Sequence, residues 1–219
     1  APKFSRASIP LPDTITIDGV ERPTTNSKGL PIHPTEEGVR KFWRWFAGSK
    51  VVDEKGRPLV VYHGTGEDGI DVPRVPYGGL YLALDPSASE AYADMRGGRR
   101  GVVESFYVKA DNLFDANSAD ANKVLDAIEK DYDNGTDYVD PDDGEYMPLR
   151  DWVKYGYLFK LGREAQNEVL ESLSAEGFGA VRYTDASPMT GDSESLVVFS
   201  PDQIKSAIGN NGEFNPNDR

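Results

Sequence analysis

From Thr35 onward the apolar residues fall into periods that can be read. Val39, Phe42, Trp43 and Phe46 recur at steps of three and four, which predicts an amphipathic helix with one core-facing stripe. Thr35 supplies a hydroxyl cap, Glu36 and Glu37 put carboxylates in the positive first turn, and Gly48 ends the run. Val51-Val52 and Leu59 to Tyr62 then read as short apolar strands around the turn residues Glu54 to Pro58. Gly79 to Ala83 reads as a further strand, and Asp85-Pro86-Ser87 opens a short helix through Ala93. Val102 to Val108 is a clear strand, Val124 to Asp131 a modest helix, and Arg163 to Ser174 another helix. Phe178 to Tyr183 and Leu196 to Phe199 complete the strands. Strands outnumber helices and several are separated only by loops, so the expected class is α+β, not a doubly wound parallel sheet.

The residues before Thr35 behave differently. Pro10, Pro12, Pro23, Pro31 and Pro34, with the run Thr24 to Ser27, exclude a helix there, and only Thr14 to Ile17 alternates like a strand. The expected organisation is a Pro-rich arm or linker over 1–34, a folded domain over 35–209 and a tail over 210–219.

Composition narrows the chemistry. Of 219 residues, 24 are basic and 37 acidic, a formal charge of −13, which argues against general attraction to a phosphate backbone. Arg96, Arg99 and Arg100 form a local basic cluster, read here as a solvated loop. Apolar runs are far shorter than the roughly twenty residues of a membrane span, so a soluble protein is expected. With no Cys, disulfides and thiolate chemistry are excluded. The acid-rich stretch from Asp131 to Glu145 invites calcium. Gly135 and Gly144 nevertheless stand at the fifth ligand position of both possible Asp-x-Asp frames, so an EF-hand loop does not fit and no metal is expected.

Three elements are left to carry chemistry. His63 closes an apolar strand before Gly64-Thr65-Gly66, offering an imidazole beside bare backbone, whereas His33 sits between prolines and reads as structural. In the segment from Tyr77, Gly78-Gly79 permits close backbone approach. Tyr81 lies within a strand, and Ser89 and Tyr92 stand three apart on one helix face. A phenol ring beside a small donor suits a planar heterocyclic amide, and core-edge packing is the plainer alternative. Last, Asp192-Ser193-Glu194-Ser195 runs directly into Leu196 to Phe199.

Taken together, Tyr62-His63-Gly64-Thr65, Gly79-Leu80-Tyr81-Leu82-Ala83 with Ser89-Glu90-Ala91-Tyr92, and Glu194 before an apolar strand resemble the His-Tyr-Glu class of ADP-ribosyltransferases. That is the class of the poly(ADP-ribose) polymerases and diphtheria toxin. The flanks Gly38 to Phe46, Val52 to Thr65 and Pro201 to Ala207 are similar to the ADP-ribosyltransferase domains of phage and prophage polyvalent proteins. The resemblance implies split antiparallel β-sheets with flanking helices around an NAD cleft, and NAD as substrate. His63 would hydrogen-bond a ribose hydroxyl, the Gly64 backbone would pair with the carboxamide, Thr65 would be a further NAD-binding residue, and Tyr92 with Ser89 would take the nicotinamide. Tyr81 would form the opposite wall, and Glu194 would bind the ribose 2′-hydroxyl and stabilise the oxocarbenium-like state.

The last motif admits two registers. Counting back from Phe199 places Ser195 at the acid position, and a slip of one residue turns a side chain to the other face. Glu194 inward predicts an enzyme, whereas Glu194 outward favours a weak or single-transfer site or an inactive module. The resemblance implies mono-ADP-ribosylation of a bacterial macromolecule, protein rather than nucleic acid, by a monomeric, membrane-free domain of phage or mobile-element origin. Such a domain would work in the cytoplasm of the host, whether delivered by phage or as an effector. NAD glycohydrolysis and a catalytically inactive module of a larger phage protein are the alternatives.

Overall fold

The computed structural model describes residues 11–66, 79–97, 101–131, 144–186 and 191–208. Strands β1 (Thr14–Ile17) and β2 (Val20–Pro23) form an antiparallel hairpin. Its turn is Asp18-Gly19, with φ of 50° and 79°, the left-handed pair that a two-residue hairpin requires. Ile15 and Ile17 point inward at alternate positions and, with Ile32, cover helix α1 (Glu36–Phe46). Polar ties hold the segment in place. Trp43 Nε1 donates to the Pro23 carbonyl and Arg40 Nη1 to the Thr16 carbonyl, each at 2.8 Å, and Asn26 Nδ2 donates to the buried Tyr107 phenol at 2.9 Å.

Helix α1 forms where its sequence pattern places it. The Thr35 side chain accepts from Gly38 N at 3.2 Å, Glu36 and Glu37 occupy the first turn, and Val39, Phe42, Trp43 and Phe46 are buried. His33 closes this end: its Nδ1 accepts from Thr35 N at 3.0 Å, and a Cβ on Gly38 would lie 1.9 Å from the imidazole.

The main sheet has seven strands in the order β6-β7-β8-β4-β3-β5-β9. They are β3 (Val61–Thr65), β4 (Leu80–Ala83), β5 (Val102–Val108), β6 (Leu113–Asp115), β7 (Ala180–Asp185), β8 (Ser193–Val198) and β9 (Ile204–Ser206). Every neighbouring pair is antiparallel except β6–β7. β3 and β4 join through the single pair Tyr62↔Ala83, whereas β3 matches β5 over five residue pairs and β4 matches β8 over four. The sheet is therefore split into two halves at this seam, the α+β arrangement that the sequence suggests.

Helix α2 (Pro86–Gly97) packs on β3 and β5 beside the seam. Helices α3 (Ala121–Asp131), α4 (Leu149–Lys154) and α5 (Arg163–Ala175) cover the β7–β8 half. There Leu125, Trp152, Val169 and Leu173 bury against Val181, Tyr183 and Val197. Leu82, Phe106, Leu196 and Val198 form the apolar layer on the opposite face. None of the described helices is long and apolar enough to cross a membrane.

Several elements differ from the sequence expectations. Val51-Val52 yields only the isolated bridge Val52↔Pro58, because the Asp53-centred turn leaves room for one pair. β8 starts at Ser193, three residues earlier than its apolar run, and β7 runs on to Asp185. The short elements β6, α4 and β9 lack the length for a readable period. Most of the acid-rich stretch, Tyr77, Gly78, Arg99, Arg100, the Arg96 side chain and the tail from 209 lie outside the described residues. Among the described residues no cluster of metal-ligating side chains occurs.

Candidate active site

The seam opens into a cavity of about 210 Å³ walled by β3, β4, α2, β7 and β8. Its position follows from the broken ladder. Continuing the Tyr62↔Ala83 register would set Gly64 opposite Tyr81, but the strands part before that pair forms. The Tyr81 carbonyl is instead met by His63 Nδ1 at 3.0 Å. A carbonyl only accepts, so Nδ1 carries the proton of this bond, and in the neutral ring Nε2 is the acceptor.

Gly64 lines the cavity, and its lack of a side chain has a packing cause. A Cβ there would lie 2.1 Å from the Ser89 carbonyl oxygen and 2.8 Å from Ala93 N, so α2 approaches β3 only because this residue is glycine. That close approach brings buried Ser89 and half-buried Tyr92, three apart on α2, to the cavity wall. Thr65 is buried, pairs with Val102 on β5 and takes no part in the wall.

Phenols dominate the opposite side. The rings of Tyr81 and Tyr183 meet edge to face with centroids 6.3 Å apart. Tyr81 Oη is buried and has no hydrogen-bond partner among the described residues. Burial, followed by the nearby Tyr92, pushes the Tyr81 phenol far above the usual tyrosine range. Tyr183 is also raised, by burial first and then by the negative charge of Asp185, while a hydrogen bond from the Ser195 side chain pulls the other way. Gly156 sets the Tyr183 ring: its φ is 70°, and a Cβ there would lie 2.2 Å from that ring.

The acid motif resolves by register. On β7 and β8, Tyr183 stands opposite Ser195 and Asp185 opposite Ser193, so these four share the cavity face with Val197. Ser195 is buried and lines the cavity. Glu194 stands opposite Thr184 on the other face, is exposed, and accepts from Arg182 Nη2 at 2.6 Å through both carboxylate oxygens. The inward placement expected of Glu194 is therefore corrected. No bulge interrupts the β7–β8 ladder between Ser193 and Val198, so strand parity turns Ser195 inward.

Sequence reasoning missed Tyr183, Asp185 and Gly156 as wall residues. Asp185 is 5 % exposed and accepts from the Tyr92 phenol at 3.0 Å. The available signal was alternation: extending the strand read at Phe178 to Tyr183 by two residues puts Asp185 on the Tyr183 face.

The split sheet, the cavity at its seam and the order of the motif residues define an ADP-ribosyltransferase-like domain. The chain belongs to the family of ADP-ribosyltransferases in polyvalent proteins, whose family model matches residues 53–214. No curated protein and no solved structure shows a significant match.

Proposed function

We propose that the domain binds NAD with its nicotinamide ring in the seam cavity and transfers single ADP-ribose units to a macromolecule. The carrying observation is the cavity itself: two phenol walls, a small buried hydroxyl from Ser89 and the Gly64 backbone left out of the β3–β4 ladder. A volume of about 210 Å³ falls below the ~300–1,000 Å³ of whole drug-sized ligand sites. It suits one aromatic amide ring, with the remainder of the dinucleotide lying along the open seam past His63. In this reading Tyr92 stacks on the ring and Tyr81 closes the far wall. The Ser89 and Gly64 groups take the carboxamide, and His63 Nε2 takes a ribose hydroxyl. Thr65 contributes by holding β3 to β5.

Single transfer is preferred over polymer growth because the Glu that helps elongation has no counterpart at position 195. The charge of −13 favours a protein acceptor over nucleic acid. A bacterial protein, modified in the cytoplasm by a monomeric domain of phage or mobile-element origin, fits the family. Ser195 at the inward position also favours a second reading, a module that binds NAD without turning it over. Incubating the wild type, His63→Ala and Tyr92→Ala with label-bearing NAD and bacterial lysate separates the two. Label on a macromolecule that both substitutions abolish is the transferase result. Free ADP-ribose alone means glycohydrolysis, and bound but intact NAD means the module.

A further inference from the structure

With Ser195 inward and Glu194 on the far face, the cavity would lack the negative charge that cleavage of a cationic glycoside calls for. It does not lack it. Asp185, at the end of β7, projects onto the same face one strand away and lines the same cavity. Its carboxylate is oriented by the Tyr92 phenol, which donates to Oδ2 at 3.0 Å. Directly across the ladder, the Ser193 hydroxyl oxygen is buried, and neither it nor Tyr81 Oη on the neighbouring wall has a hydrogen-bond partner among the described residues. Buried hydroxyls without partners are costly, and a polyhydroxylated ligand is what would satisfy them. A carboxylate paired across the ladder with such a hydroxyl, on the wall of a ring-sized cavity, is a ribose-binding arrangement.

We propose that Asp185, not Glu194, is the carboxylate that faces the nicotinamide ribose during transfer. The inference rests on the cavity being the nicotinamide site. In the step itself the bond from ribose C1′ to the nicotinamide nitrogen breaks, and its electron pair leaves with neutral nicotinamide. The resulting oxocarbenium ion is held against the Asp185 carboxylate. The acceptor heteroatom then bonds to C1′ and gives up its proton, which passes by way of Asp185 to solvent. Fixed charge near developing positive charge in a partly dry site stabilises the transition state more than the ground state.

The ground state carries a signature too, because NAD has a cationic ring and NADH a neutral one. The test measures dissociation constants for both nucleotides, and label transfer, in the wild type, Asp185→Asn, Asp185→Glu and Glu194→Gln. The expected result is a wild-type preference for NAD over NADH that Asp185→Asn reduces by about tenfold, with NADH affinity retained as evidence of folding. Transfer by Asp185→Asn should fall by at least about a hundredfold, Asp185→Glu should restore part of it, and Glu194→Gln should match the wild type. Full transfer by Asp185→Asn, or loss of transfer in Glu194→Gln, would overturn the assignment while leaving the NAD site intact. Wild type that binds NAD yet releases no nicotinamide would overturn the catalytic role alone. Wild type that binds neither nucleotide would overturn the cavity reading, and this proposal with it.

Discussion

Tyr81 carries a buried hydroxyl with no partner among the described residues, so Tyr81→Phe removes an unsatisfied group and not a bond. Its stability in urea should stay within about 1 kcal/mol of the wild type or rise slightly. Gly156→Ala should act in the opposite direction, because it strains a φ of 70° and places a methyl 2.2 Å from the Tyr183 ring. A loss of about 1–3 kcal/mol in the same titration is expected, together with weaker NAD binding as Tyr183 is displaced into the cavity. Legibility at this scale followed parity. Gly64, Tyr81, Ser89 and Tyr92 lie where strand and helix periods set their direction, and they reach the cavity wall together with His63, whose imidazole bonds the Tyr81 carbonyl from the alternate strand position. Glu194 against Ser195 turned on a single residue of register, which the ladder pairs of β7 and β8 decide. Asp185 escaped notice because the strand read from Phe178 stopped at Tyr183, two residues short of it.

Among the elements, the contact between α2 and β3 holds the cavity together. Gly64→Ala would drive a methyl into the Ser89 carbonyl, and neither backbone can yield without parting the helix from the strand. The expected outcome is a loss of about 1–3 kcal/mol with NAD affinity reduced in parallel, measured by urea unfolding and titration. Unchanged affinity would show that α2 can move without disturbing the wall. The long elements α1, α5 and β5 were legible because period and length agree, and in α1 the cap agrees too, with Thr35 capping it as its sequence suggests. The hairpin β1–β2 was only half read. Asp18-Gly19 is the turn signal that pairs Thr14–Ile17 with Val20–Pro23, and the prolines on either side concealed it. β6 and β9 have three residues each, and tertiary pairing creates them, with no local pattern to mark them.

At the scale of the whole molecule, buried phenols link stability to alkaline pH. Tyr81, Tyr107 and Tyr183 all titrate above the ordinary value of 10.0, chiefly because burial disfavours the phenolate. The folded state therefore keeps these protons after the unfolded chain has lost its own. Their contribution is full below about pH 10 and is lost as pH rises from there toward the folded values. Thermal midpoints measured from pH 8 upward should stay level and then fall beyond about pH 10. Midpoints unchanged at higher pH would mean that these rings are not buried. The −13 charge, which also grows as tyrosines ionise, adds self-repulsion, so added salt should soften the fall.

The proposed function stands on the seam cavity receiving the nicotinamide ring of NAD. Saturation-transfer difference NMR on NAD with the wild-type protein tests it most directly, because each ligand proton reports how closely the protein encloses it. The strongest saturation is expected on the nicotinamide ring protons, with weaker transfer to the adenine and loss of the signal when excess nicotinamide is added. Equal or stronger saturation of the adenine, unaffected by nicotinamide, would contradict it.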